Sequence, residues 1–93
     1  MSKNQFLLEQ KYHERKKIIS EFDLLLIANQ IIQDHDTYID GMHADSVTEK
    51  DEVLIFKGPY FLDDNGLPTE NTTTVFNMFK YLALSLSKEF TLK

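Results

Sequence analysis

Between Tyr60 and Leu86 the chain reads YFLDDNGLPTENTTTVFNMFKYLALSL, an acidic Asn-Gly turn and a proline leading through a Thr/Asn-rich entry into an amphipathic helix. Gly66 can take positive φ in the Asp63-Asp64-Asn65-Gly66 turn, and Pro68 fixes the chain just ahead of the helix. The periodicity predicts a helix from near Asn71 or Thr72 to about Phe90. Val75, Phe76, Phe79, Leu82, Ala83, Leu86 and Phe90 lie on one face of it. A chain carrying this segment must supply an apolar surface to cover that stripe.

The earlier part of the chain offers it. Ser20 is a helix N-cap with an acid three residues on, and Glu21 and Asp23 suit the positive end of the helix dipole. A first helix is expected from about Glu21 to Thr37. Leu24, Leu25, Ala28, Ile31, Ile32 and Ile39 gather on its inner side, and Asp23, Gln30, Gln33 and Thr37 point away. Gly41 ends the helical region. Two strands follow, about Met42 to Thr48 and Glu52 to Lys57, joined by a turn at Glu49-Lys50-Asp51. The continuous run Val53-Leu54-Ile55-Phe56 predicts a strand that is central or covered on both faces. Gly58-Pro59 interrupts the ladder, and Tyr60-Phe61-Leu62 is read as a short third strand at the edge. The resulting fold class is α+β, order α-β-β-(β)-α, with two helices packed on one face of a small two- or three-stranded antiparallel sheet.

The 93 residues suffice for one small core. We read residues 1–18 as a basic N-terminal arm, flexible or helical, and residues 19–93 as a single domain. The arm holds the positive charge. Residues 1–19 carry five basic against two acidic side chains, net +3, and residues 20–93 carry five lysines against thirteen acids, net −8. An acidic body repels phosphate backbones, so no nucleic acid is expected to bind it. Five basic residues spread along the arm form a solvated segment rather than a dense basic cluster. Cysteine is absent, which rules out disulfides and fits a reducing cytoplasm. No apolar run approaches the roughly 20 residues of a membrane-spanning helix, and the start lacks a signal-peptide core. The expected setting is cytoplasmic, without a membrane partner.

Asp34, His35, Asp36, Asp40, His43 and Asp45 concentrate metal-ligand types within twelve residues, but their spacing matches no HxxxH or HExxH pattern. Aligned as a calcium loop, the DDNG turn places Phe61 and Thr72 where carboxylates are required. Thr69, Asn71, Thr72, Thr73 and Thr74 are explained by helix capping. The serines lack a glycine elbow, and no histidine is spaced for a triad. Neither an enzyme nor a cofactor is therefore expected. Apolar side chains on the outer helix faces carry the main functional expectation: Leu26 on the first helix, and Tyr81 and Leu84 on the second, form an interaction surface for a protein partner or a homodimer. The alternative is a small-ligand or metal-binding protein, even an enzyme, using the junction around His35, Asp40 and His43.

The segments Tyr60-Phe61-Leu62-Asp63, Gly66-Leu67-Pro68-Thr69 and Val75-Phe76-Asn77-Met78-Phe79-Lys80, preceded by LLLIANQIIQDHDTYIDGMHADSVTE, resemble the YciN-type family of small gammaproteobacterial proteins of uncharacterised function. The resemblance covers about Ile19 to Leu92. It implies a cytoplasmic bacterial protein and brings no catalytic or binding residues. Residues 1–18 are longer than the N-terminus associated with that family. Taken together, these features lead to the expectation of a protein-interaction or regulatory adaptor module.

Overall fold

The computed structural model describes residues 16–93. Six elements follow in order: β1 (Lys17–Ile19), α1 (Glu21–Asp34), β2 (Ser46–Lys50), β3 (Val53–Lys57), α2 (Glu70–Leu86) and β4 (Phe90–Leu92). The fold is α+β, with both helices on one face of the antiparallel β2–β3 hairpin. A second, parallel pair joins β1 to β4. Most of the expected basic arm, residues 1–15, lies outside the described residues; Lys17 and Ile18 belong to β1.

Helix α1 starts where its cap requires. The Ser20 hydroxyl accepts the Asp23 N–H at 3.1 Å, and Glu21 and Asp23 occupy the first turn. It ends at Asp34 rather than Thr37. Asp34 and Asp36 place carboxylates at the negative end of the dipole, and the last turn holds no basic residue to offset them. The chain then leaves helical geometry at His35, whose Nδ1 accepts the Thr37 N–H at 3.2 Å. Gly41, at φ +89°, completes the reversal.

The segment after Gly41 was expected to enter a strand at Met42, but β2 begins only at Ser46. The Asn29 side chain takes the place of a strand partner. Its amide nitrogen donates to the Ala44 carbonyl at 3.0 Å, and its oxygen accepts the Ala44 N–H at 2.7 Å. Residues 43 and 58 approach so closely that a Cβ at Gly58 would lie 2.2 Å from the His43 carbonyl oxygen.

The hairpin register pairs Ser46 with Lys57, Val47 with Phe56, Thr48 with Ile55, Glu49 with Leu54 and Lys50 with Val53. This leaves Asp51 and Glu52 as a two-residue turn, both at positive φ (52° and 69°) as a type I′ turn requires. Glu49 and Lys50, expected in the turn, are in the strand. β3 is neither central nor covered twice. Leu54 and Phe56 face the core, whereas Val53 and Ile55 are 49% and 39% exposed. The apolar run concealed an ordinary two-residue alternation. Each strand still has an outward N–H satisfied from a helical region: Val47 donates to the Glu21 carboxylate at 3.2 Å, and Leu54 to the Ser87 hydroxyl at 2.9 Å.

Tyr60-Phe61-Leu62 is not a strand. Pro59 has no N–H to continue a ladder, Phe61 sits at φ +53°, and the carbonyls of Tyr60 and Phe61 are taken by threonine hydroxyls at the start of α2. Asp63 closes the following turn on itself. Its Oδ1 accepts the N–H groups of Asn65 and Leu67, both at 2.9 Å, and Gly66 has the positive φ (79°) expected of it.

Helix α2 opens with a reciprocal cap: the Thr69 hydroxyl accepts the Thr72 N–H and the Thr72 hydroxyl accepts the Thr69 N–H. Its buried stripe is Thr72, Val75, Met78, Phe79, Leu82 and Leu86. Met78 is inside, while Phe76, expected inward, lies on the flank with its ring 5.0 Å from that of Tyr60. The helix stops at Leu86 rather than near Phe90. Ser87 caps it, its own N–H still bonded to the Ala83 carbonyl and its hydroxyl accepting the Leu54 N–H of β3, and Phe90-Thr91-Leu92, which include aromatic and β-branched residues suited to extended backbone, pair with β1.

Among the described residues, thirteen apolar side chains form one core: Leu24, Ala28 and Ile32 of α1, Met42 and Ala44 of the connection, Val47, Leu54 and Phe56 of the hairpin, and Val75, Met78, Phe79, Leu82 and Leu86 of α2. Leu25, Ile31 and Ile39 pack around its edge, as do Ile19, Phe90 and Leu92 from the parallel pair.

Candidate interaction surface

Burying one stripe of each helix turns the opposite stripe outward, and both helices carry apolar residues there. Leu26 is 57%, Tyr81 46% and Leu84 64% exposed. The three do not share one depression. Tyr81 walls a groove of about 450 Å³ with Ile27, Gln30, Ile31, Asp34 and His35 of the α1 end. Leu84, one turn further along α2, lines a second groove of about 390 Å³ with Val53, Ala83, Ser87, Lys16, Glu52 and Lys88. Leu26 lines neither and stands on the outer face of α1, one turn from exposed Phe22.

The two grooves differ in chemistry. In the first, the His35 and Tyr81 rings meet edge to face with centroids 5.2 Å apart. Because His35 Nδ1 accepts the Thr37 N–H, the neutral ring carries its proton on Nε2. Gln30 donates to the Asp34 carboxylate at 3.0 Å, giving this rim an acidic group held in place. The second groove combines apolar Val53, Ala83 and Leu84 with two basic residues, Lys16 and Lys88, and one acid, Glu52. Lys16 donates to the Glu52 carbonyl at 3.1 Å. Sequence reasoning missed Val53, Ile27 and Ile31 as neighbours of the chosen residues. A two-residue alternation along β3 would have pointed Val53 outward.

The junction residues are not assembled into one site. His35 turns toward Tyr81. His43 places Nε2 2.7 Å from the Asp45 carboxylate and Nδ1 2.8 Å from the Gly41 carbonyl, so both ring nitrogens face oxygens of their own loop. Asp40 is exposed. Among the described residues, no three His, Asp or Glu side chains converge as a metal site would require. Nor is any helix among them long and apolar enough to cross a membrane. The Thr/Asn-rich entry to α2 is occupied with capping, Thr72 and Thr69 toward residues 60–61 and Thr74 toward the Glu70 carbonyl at 3.3 Å.

One carboxylate that sequence reasoning assigned to a turn has a specific environment. Glu49 accepts the Leu92 N–H at 2.8 Å and the Thr91 hydroxyl at 2.8 and 2.9 Å on its two oxygens. The Leu92 N–H and then the Thr91 hydroxyl hold its pKa below the ordinary value against the opposing effect of desolvation, with the charge of Lys16 the smallest contribution. The signal for this contact was the Phe90-Thr91-Leu92 triplet, which the helical periodicity had absorbed.

Residues 15–93 match the family model described as "Protein of unknown function (DUF2498)". The chain is 51% identical over 67 residues to the protein named Protein YciN of Escherichia coli strain K12, an alignment covering 72% of this chain and 81% of the relative. Protein YciN of E. coli O157:H7 aligns with the same identity and coverage. The expected resemblance is thus a relationship: the chain belongs to the DUF2498 family, with the YciN proteins among its relatives.

Proposed function

We propose that this protein is a small, non-catalytic interaction or regulatory adaptor module of the cytoplasm, which binds a protein partner or a second copy of itself through the outer faces of its helices. One observation carries this reading. Of its exposed apolar side chains, Tyr81 and Leu84 line open, mainly apolar grooves and Leu26 stands on the outer face of α1 beside exposed Phe22, an arrangement that supports a binding surface. The groove at Leu84 is the preferred contact, because its two lysines would orient an apolar segment flanked by acids. The cysteine-free sequence supports the reducing compartment, and the acidic body argues against nucleic acid as the partner.

The test pairs wild type with Leu84→Asp. Both are used to capture partners from a lysate of the native host, and both are run in sedimentation equilibrium. A partner, or a dimer, kept by wild type and lost by the variant supports the module; identical behaviour of the two in both measurements removes Leu84 from the contact. The alternative is a small-ligand protein. The groove between His35 and Tyr81 supports it, being within the size range of small-molecule sites and bordered by an imidazole and a carboxylate. A thermal-shift screen in which compounds stabilise wild type but not Tyr81→Ala would favour it.

A further inference from the structure

The β1–β4 pair differs from the rest of the molecule in how it is held. Among the described residues, none of the thirteen buried apolar side chains belongs to it; all lie between Leu24 and Leu86. Ile19, Phe90 and Leu92 are only partly buried against the core, and Ile18 is 72% exposed. Two three-residue strands in parallel make a weak ladder, since an isolated strand pair is marginal in water. Both strands are joined to the body by short connections, Ser20 before α1 and Ser87-Lys88-Glu89 after α2. The firm link is polar and converges on one side chain. Glu49 of β2 reaches across to take the N–H of Leu92 and the hydroxyl of Thr91, and hydrogen bonds to an ionised acceptor are the stronger kind.

We propose that β1 and β4 form a clasp whose two strands separate from each other and from the core edge in one step while the helix–hairpin body stays folded, with the Glu49 carboxylate as its latch. Low burial and few anchoring contacts mark such locally opening units. Opening withdraws Ile19, Phe90 and Leu92 from the core edge and presents two extended, apolar strands, so the apolar surface of the protein depends on the state of the latch.

Native-state hydrogen exchange on the full chain at one fixed pH tests this, comparing wild type, Glu49→Ala and Thr91→Val. The reporters are the amides of Lys17, bonded to the Glu89 carbonyl, and Lys93, bonded to that of Ile19. In Glu49→Ala they should exchange on the order of tenfold faster, as expected when charge-assisted bonds are lost, while amides of α1, α2 and the β2–β3 ladder keep their wild-type rates. Thr91→Val, which leaves the carboxylate and the Leu92 bond in place, should give a smaller acceleration at the same amides. Unchanged rates at Lys17 and Lys93 would overturn the latch. An equal acceleration throughout the molecule, or loss of the folded circular-dichroism spectrum in Glu49→Ala, would overturn the separate unit.

Discussion

The hydroxyl of Thr72 and the carbonyl of Tyr60, twelve residues apart, meet at 2.5 Å in a site from which solvent is excluded. The same hydroxyl lies 3.2 Å from the Phe61 carbonyl and accepts the Thr69 N–H at 2.9 Å. One buried side chain thus caps α2 and fastens the loop that precedes it. Thr72→Val keeps the shape and removes these bonds, leaving backbone groups unpaired at a cost of about 1–3 kcal/mol. Urea denaturation should show a lower midpoint with an unchanged slope, and Thr72→Ser should recover most of the loss.

Asn29 provides a second polar joint. Its amide pairs twice with the Ala44 backbone and substitutes for a strand partner there. Asn29→Ala should destabilise by about 1–3 kcal/mol, and the amide of Ala44 should lose its protection from hydrogen exchange.

The turn at Asp51-Glu52 sets two non-glycine residues at positive φ. Left-handed backbone costs an L-residue about 1–2 kcal/mol, and Glu52 is exposed, its carbonyl accepting from Lys16. Glu52→Gly should therefore raise stability by about 1 kcal/mol, read as a higher thermal midpoint.

Acid acts on Glu49. Its pKa is lowered in the folded state from the ordinary 4.5, so its contribution is present above that value and is lost as pH falls through the folded pKa. Wild type should exceed Glu49→Gln in stability near neutrality, and the gap should close on acidification below the ordinary carboxylate range. Denaturant titrations of both proteins across that interval check the sign.

Leu82 and Leu84 separate packing from surface. Leu82 is fully buried, so Leu82→Ala should cost about 2–5 kcal/mol. Leu84→Asp, on the exposed face, should change stability by about 0.5 kcal/mol or less. Melting curves of the two variants establish whether loss of binding in Leu84→Asp reports on the surface alone.

The elements with strong local signals were legible in the sequence. Ser20 and the Thr69–Thr72 cap mark the helix starts, and Leu24, Ala28, Ile32, Val75, Leu82 and Leu86 follow the helical period into the core. The features that escaped depend on partners distant in sequence. β1 and β4 are three residues each and carry no periodicity of their own; they are strands because they find each other. Phe90 continues the stripe of α2 on a helical wheel, and its pairing with Lys17 of β1 is what sets it in a strand. Of the candidate surface, the exposure of Leu26, Tyr81 and Leu84 was readable from helix faces. Their separation into two grooves depends on where α1 and β3 lie against α2, which no local pattern encodes.

The pairing of Lys17 with Phe90 also orders events in time. Contacts within α1, the hairpin and α2 close short stretches of chain, whereas this ladder must bring together residues separated by nearly the whole described sequence, with the largest loss of loop entropy. Loop entropy makes it the contact expected to form last. During synthesis β1 leaves the ribosome early and waits, unpaired, until Phe90-Thr91-Leu92 emerge, so completion of the fold reports that the chain has been translated at least that far.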